Sequence, residues 1–429
     1  MRRFTGSQKG ALFAVLSIAI AGSIVVGIFR GGFGTSRLTK ENVAKVIADS
    51  AVLYDFPTEV ELPLGKRKKI NGIIQYSFDP QLQEDMERLF HAYKPDYGAF
   101  VAMDAHTGRI LSMVSYSHHS TQENLALRAT FPSASVFKVV TAAAAIESGQ
   151  FSANTVIAYN GSNHTLYRSN VLKTQLTRWT RRITLRDAFA KSVNTVFGKI
   201  GAFEIEPEDL REYADRFGFN RVIPADFPIQ MGRAEIPDIE DRFGLAETAS
   251  GFTRDNTMSP LQGALIASAI VNDGMMMEPY MVQAVYSPEG EKLYTADPQL
   301  SSMAVDPRTA AEIRSLMRET VSRGTSRGAF RKFFKGPFAS LSVGGKTGSL
   351  TGTDPKGKYD WFVGYADSGK HKIAIAALTV HEKYWRVKSS YLARRAIESY
   401  FQETFANEAK ERARFVHKNG RKTEVTRSL

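Results

Sequence analysis

The chain of 429 residues contains no cysteine. That excludes disulfides, cysteine-ligated metals and a cysteine nucleophile, and it makes the fold indifferent to the redox state of its compartment. Zinc-ligand spacings, the basic-aromatic ladder of a nucleic-acid module, internal repeats and low-complexity tracts are also missing. No cofactor, no metal and no nucleic-acid partner is expected. What remains is ordinary for a globular protein with a real core, 43% hydrophobic and 23% charged. The formal net charge is +12, which would suit anionic lipid or an acidic cell-wall polymer as well as nucleic acid. Basic residues are spread along the chain, with a mild excess from Lys410 to Arg427 that reads as a solvated, frayed tail.

One long stretch lacks charge altogether. Residues 11–29 are apolar or small, and at 1.5 Å per residue about 19 residues come close to spanning a bilayer core. Arg2, Arg3 and Lys9 precede the run and favour a cytoplasmic N-terminus. A cleaved signal peptide, with Ala19-Ile-Ala21 as its cleavage motif, is the competing reading. The apolar run continues well past Ala21, which favours an uncleaved single-pass anchor in the inner membrane with the rest of the chain on the periplasmic side.

Downstream, residues 30–40 are glycine-rich and basic, and Gly65-Lys-Arg-Lys-Lys69 reads as an exposed turn. Asp79 followed by Pro80 marks a helix start. Residues 99–104 and 109–115 predict a hairpin around Ala105-His-Thr-Gly108, with an edge partner near the C-terminus. Three further strand-like runs cover 342–349, 361–366 and 372–380. Between the two groups, residues 130–330 are mostly helical by pattern. Strands at both ends enclosing a helical middle predict an α+β domain whose antiparallel sheet is completed by distant segments.

Three short motifs carry chemistry. In Phe131-Pro-Ser-Ala-Ser-Val-Phe-Lys138, Ser135 and Lys138 are three residues apart and share a helix face, with Ser133 as a plausible cap. A serine becomes nucleophilic when a base takes its proton, and a lysine serves as that base once burial or a second cation lowers its pKa. The alanine-rich helix supplies the burial. Lys346-Thr-Gly-Ser349 lies on a strand, where Gly348 admits a close approach, Lys346 supplies positive field, and Thr347 and Ser349 supply hydroxyls for a carboxylate. Lys346 beside Lys138 would also disfavour protonation of Lys138. Ser192-Val-Asn194, in an apolar helical context, offers a proton relay and an amide, although taken alone a helix-capping role is the stronger reading.

In this order, Ser-x-x-Lys, Ser-x-Asn and Lys-Thr-Gly resemble the serial motifs of penicillin-binding proteins and serine β-lactamases. The surroundings agree: the 98–113 hairpin, Ser259-Pro-Leu-Gln262, Asn272-Asp-Gly274, Gly324-Thr325 and Asp360-Trp-Phe-Val-Gly-Tyr-Ala366 resemble the family's segments. Ala134 and Val136 stand where glycine and threonine are common, and of the glycine-rich stretch before Ser259 only Gly251 is kept. The resemblance implies a five-stranded antiparallel sheet flanked by helices, with an all-helical subdomain, preceded by one transmembrane helix. It implies Ser135 as the acylated nucleophile, Lys138 as its general base, Ser192 as the relay to the departing amine, and Lys346 as the field. Asn194 and Gly348 would bind the substrate peptide, Thr347 and Ser349 its terminal carboxylate, and the N–H groups of Ser135 and Ser349 would form the oxyanion hole.

The implied partners are D-alanyl-D-alanine stem peptides of peptidoglycan and β-lactam antibiotics, besides the membrane. The implied division is a cytoplasmic tail (1–10), an anchor (11–29), a linker and short N-terminal segment (30–74), a transpeptidase domain (75–400) and a basic C-terminal tail (401–429). The span between anchor and Ser135 is too short for a glycosyltransferase domain or a large N-terminal module. D,D-transpeptidase is therefore the leading expectation, with D,D-carboxypeptidase, β-lactamase and a non-catalytic β-lactam sensor as alternatives.

Overall fold

Runs of alanine, valine, isoleucine and aromatic residues from the two ends of the domain meet in one sheet. The computed structural model describes residues 38–427 apart from 65–67, 120–122 and 174. Strands β1 (Tyr97–Asp104) and β2 (Ile110–Ser117) form the expected hairpin, and β3 (Ser342–Thr353), β4 (Lys356–Asp367) and β5 (Lys372–His381) follow far downstream. All five join in one antiparallel sheet of order β3-β4-β5-β1-β2. Its closure is the long-range pairing of β5 with β1, from Ile373 opposite Asp104 to Val380 opposite Tyr97.

Both faces of this sheet are buried. Along β5, Ala374, Ala376, Leu378 and Val380 face one core while Ile373, Ile375 and Ala377 face another. The side-chain period of two is intact, yet it writes a continuous apolar run because neither face meets water. The helices that shape the molecule around the site are α1 (Pro80–Tyr93), α2 (Lys138–Glu147), α3 (Asn194–Phe203), α4 (Arg242–Ser250), α5 (Pro260–Val271) and α6 (Ser389–Arg427). Helix α5 lies across β1, β4 and β5 and is buried at every position, as a helix apolar all round must be. The Ser259-Pro-Leu-Gln262 motif is its start: Ser259 Oγ accepts the Gln262 N–H and Pro260 occupies the first helical position. Asp79 and Pro80 begin α1 in the same way, and α1 and α6 cover the sheet's other face.

Several elements differ from the sequence reading. A second, four-stranded sheet pairs Glu59–Leu64 and Lys68–Tyr76 with Val282–Tyr286 and Lys292–Thr295. Two of its three pairings are local hairpins; the third, of Lys68–Tyr76 with Val282–Tyr286, joins strands some two hundred residues apart, which no local pattern announces. Strand Lys68–Tyr76 crosses the expected boundary at 74/75, and α6 crosses the one at 400/401, so the tail read as frayed is helical to Arg427. The apolar run 11–29 lies outside the described residues; among those described, no helix is long and apolar enough to cross a membrane.

One side chain ties the sheet to the turn that carries Ser135. Trp361, fully buried on β4, donates its indole N–H to the Pro132 carbonyl at 2.9 Å and meets Phe131 edge-on. Trp361→Phe removes that donor, leaves a buried carbonyl unpaired and opens a small void. Unfolding free energy from urea denaturation should fall by about 2–4 kcal/mol.

Candidate active site

Ser135 is set by strain on one side and packing on the other. Residues Ala134–Phe137 form a 3₁₀ turn that runs into α2. Ser133, expected as the cap, is itself in the right-handed helical region and makes no side-chain cap bond. The break in the chain falls instead at Ala134, whose φ is +48°, a conformation costly for a residue with a Cβ. What holds it there is Gly251, the left-handed C-cap of α4 with φ +65°. A Cβ at Gly251 would collide with the Ala134 carbonyl. From the other side, β3 is the sheet's edge strand, and a Cβ at Gly348 would press on Ala134 Cβ and the Ser133 carbonyl at 3.3 Å. Glycine at both positions lets three backbones converge on the serine.

Lys138 Nζ lies 2.8 Å from Ser135 Oγ and is completely buried. It also donates to Asn194 Oδ1 at 2.8 Å and to the Ser250 carbonyl. Burial, and then the nearby Lys346, hold the amine well below its ordinary pKa. A neutral amine has two N–H donors and one lone pair. Asn194 and Ser250 offer only acceptors to it, and together they take both donors. The remaining contact, to Ser135, then puts the lone pair against the hydroxyl proton, the geometry a general base requires. Asn194 cannot turn away, because its Nδ2 donates to the His164 carbonyl at 3.0 Å.

Lys346 is buried too. Its Nζ donates to Ser192 Oγ and to the Thr347 carbonyl, both at 2.9 Å, and it stands 5.4 Å from the centre of the Phe189 ring. Burial brings its pKa down to about 7, while Lys138 is the amine that the other lysine depresses further. Both amines are thus pushed toward the neutral form, Lys138 well below its ordinary value. Ser192 sits at φ +54° between helix Leu185–Ala190 and α3, a bend that turns its hydroxyl toward Lys346 rather than into a helix cap.

The sequence motifs therefore meet in one place. Ser135, Ser192, Asn194, Thr347, Gly348 and Ser349 line a single cleft of about 840 Å³, with both amines beneath its floor. Register places Ser349 opposite Asp360, and Asp360, which also lines the cleft, is buried and accepts the Ser389 N–H at the start of α6. The structure adds partners that residue type alone did not single out. Ser250 and His164 act through carbonyls, which any residue supplies. Thr325 Oγ1 lies 2.6 Å from Thr347 Oγ1, so the Gly324-Thr325 segment brings one more hydroxyl to the same rim. Away from the cleft, ligand atoms of Asp96, His119 and Glu382 lie within 4.8 Å of one another, a group of a kind that can take a divalent cation.

An edge-strand cleft holding a serine against a buried amine, on this α+β frame, defines an active-site-serine protein. The penicillin binding protein transpeptidase domain matches residues 98–398, and the chain belongs to that family. It is 30% identical over 319 residues to the peptidoglycan D,D-transpeptidase PbpA of Mycolicibacterium smegmatis, a match covering 66% of this chain and 62% of that one. The protein of the same name from Mycobacterium tuberculosis is 30% identical over 323 residues, 67% of this chain and 62% of that one. The chain thus spans just under two thirds of the length of these curated relatives. The crystal structure of PBPA from Mycobacterium tuberculosis superposes with a TM-score of 0.64 at 26% identity, covering 76% of this chain and 82% of that chain. The penicillin G acyl-enzyme complex of penicillin-binding protein A from M. tuberculosis gives 0.60 at 27% identity, with 77% and 81% covered.

The order of protonation has a measurable consequence. The second-order rate constant for acylation by a penicillin reports the free protein's ionisations. It should rise out of acid pH as Lys138 loses its proton and fall above about pH 7 as Lys346 loses the charge that attracts the carboxylate. Lys346→Arg keeps that charge at all accessible pH. Stopped-flow acylation should then show the alkaline fall removed while the acid limb remains.

Proposed function

We propose that the protein is a peptidoglycan D,D-transpeptidase that crosslinks stem peptides through an acyl-enzyme on Ser135. The observation that carries this reading is the saturation of Lys138: with Asn194 and Ser250 accepting its two N–H groups, its lone pair is aimed at Ser135. Ser135 Oγ attacks the carbonyl carbon of the penultimate D-alanine as its proton passes to Lys138. The N–H groups of Ser135 and Ser349 receive the oxyanion that forms. The tetrahedral intermediate collapses by breaking the peptide bond. The departing amine of the terminal D-alanine takes its proton by way of Ser192, and Lys346 behind Ser192 supplies positive field.

The amine of a second stem peptide then attacks the ester carbonyl, its proton passing to the neutral Lys138 and on to Ser135 Oγ as the ester C–O bond breaks. The unpaired edge of β3 gives an extended peptide a strand to lie against. Thr347 and Ser349, with Thr325 beside them, receive the terminal carboxylate. Among the residues lining the cleft, Asp360 is the one carboxylate, and it is occupied by the Ser389 N–H. That favours an acyl-enzyme waiting for an amine over rapid hydrolysis of the β-lactamase kind. A β-lactam presents a strained amide and a carboxylate to the same groups, and so acylates Ser135. In this reading the transpeptidase domain occupies 75–400, with 11–29 as a single-pass anchor that places it on the extracytoplasmic side of the inner membrane. The charge-free run and the cations before it support that placement.

A fluorescent penicillin should label the purified protein covalently on Ser135, and Ser135→Ala should abolish the label. A label that survives the substitution overturns the assignment. Incubation with a D-alanyl-D-alanine stem peptide and an amine acceptor, read by mass, should give crosslinked dimer. Trimmed peptide alone would indicate a carboxypeptidase, and a stable adduct with neither product a sensor.

A further inference from the structure

Between Glu147 and Asp187 the chain has no acidic residue but carries Arg168, Lys173, Arg178, Arg181, Arg182 and Arg186. This segment includes the hairpin Val156–Tyr159 and Arg181–Thr184, together with the excursion between its strands. Lys173, Arg178, Arg181 and Arg182 are exposed, and among the described residues none of them pairs with a carboxylate. Two exposed aromatic side chains stand among them: Trp179, 73% exposed with the Arg178 guanidinium 4.7 Å from its ring centre, and Tyr167. Single surface cations need no explanation; an acid-free segment with this many unpaired ones and an open indole does.

Its position supplies the explanation. The same excursion contains His164, which lines the cleft and whose carbonyl holds Asn194. The excursion that carries the cations therefore also supplies part of the active-site wall. Arg168 is left out of that set, since it stacks on Phe243 and faces Glu247.

We propose that this hairpin is a docking surface for the polymer substrate: an uncrosslinked peptidoglycan strand, held through the free carboxylates of its stem peptides. The inference rests on the transpeptidase reading and names which form of that substrate the protein prefers, a carboxylate-bearing strand over an isolated or amidated peptide. Charge complementarity supplies the attraction, and an exposed indole supplies a flat face for a sugar ring or a peptide. A bilayer surface is the less favoured partner, because the same excursion supplies His164 to the cleft wall; it would engage the exposed Val156, Tyr167, Leu176 and Trp179, and vesicle binding separates the two.

The test replaces Lys173, Arg178 and Arg182 by Glu together, in the full-length protein. Acylation by fluorescent penicillin, which needs the cleft alone, should stay within about twofold, and KM for soluble uncrosslinked strands should rise about tenfold or more. For the unaltered protein, 0.5 M salt or a strand amidated on every stem carboxylate except that of the terminal D-alanine should raise KM similarly, about tenfold, and a triple Gln variant should fall between. Equal KM for the unaltered and Glu proteins, or a KM insensitive to salt and amidation, overturns the proposal. So does salt-sensitive, hairpin-dependent binding to phosphatidylglycerol vesicles with unchanged strand kinetics. If the Glu variant loses penicillin acylation through misfolding, the salt and amidation measurements on the unaltered protein decide. Failure of the unaltered protein to be acylated at all would instead overturn the transpeptidase reading.

Discussion

The site depends on keeping a primary amine out of water. A lysine in solvent is protonated at neutral pH and is no base; Lys138 can serve as one in the proposed reaction because α2 is buried along nearly its whole length and because Lys346, equally buried, adds a like charge nearby. The surroundings of Lys138 follow from that requirement. An amine without charge still needs partners for its two N–H groups, since leaving a buried polar group unpaired costs stability. Asn194 and the last residue of α4 provide them. Geometry and electrostatics are thus the same fact seen twice: the groups that satisfy the neutral amine also orient it.

The topology explains why motifs so distant in sequence end within hydrogen-bond reach. β1 and β2 precede the helical middle, β3 to β5 follow it, and β5 pairs with β1 to close the sheet. The edge strand β3 is then brought against the turn before α2, while α3 and α4 pack together and present Asn194 and Ser250 to the same lysine. Trp361 fastens this arrangement from behind, with its ring in the sheet's core and its N–H on the serine's own turn.

Much of this was legible in the sequence. The five strands were marked by apolar runs and turn residues, the starts of α1 and α5 by proline after a capping side chain, and Ser135, Lys138, Ser192, Asn194 and Lys346 by spacing and order. The rest was hidden for identifiable physical reasons. The second sheet is completed by a pairing of two hairpins too far apart for a local pattern. Ser133 looked like a cap because residue type records a preference, whereas the strain at Ala134 is imposed by Gly251 and β3, which lie far along the chain. Ser250 and His164 contribute backbone carbonyls, on which side-chain identity is silent. Asn194 was read as a substrate contact from its amide, while its place beside Lys138 came only with the fold.

The wedge of Gly251 against Ala134 has a consequence for drug resistance. The turn that carries Ser135 is gripped on one side by a helix end that also supplies an acceptor to Lys138, and on the other by the edge strand β3. Moving the serine away from a β-lactam would displace the base and the peptide's docking edge together. Under the proposed transpeptidase reaction, variants that tolerate the drug yet keep the activity are expected to change the cleft's rim, around Thr325 and the approach to α6, and to leave its floor alone.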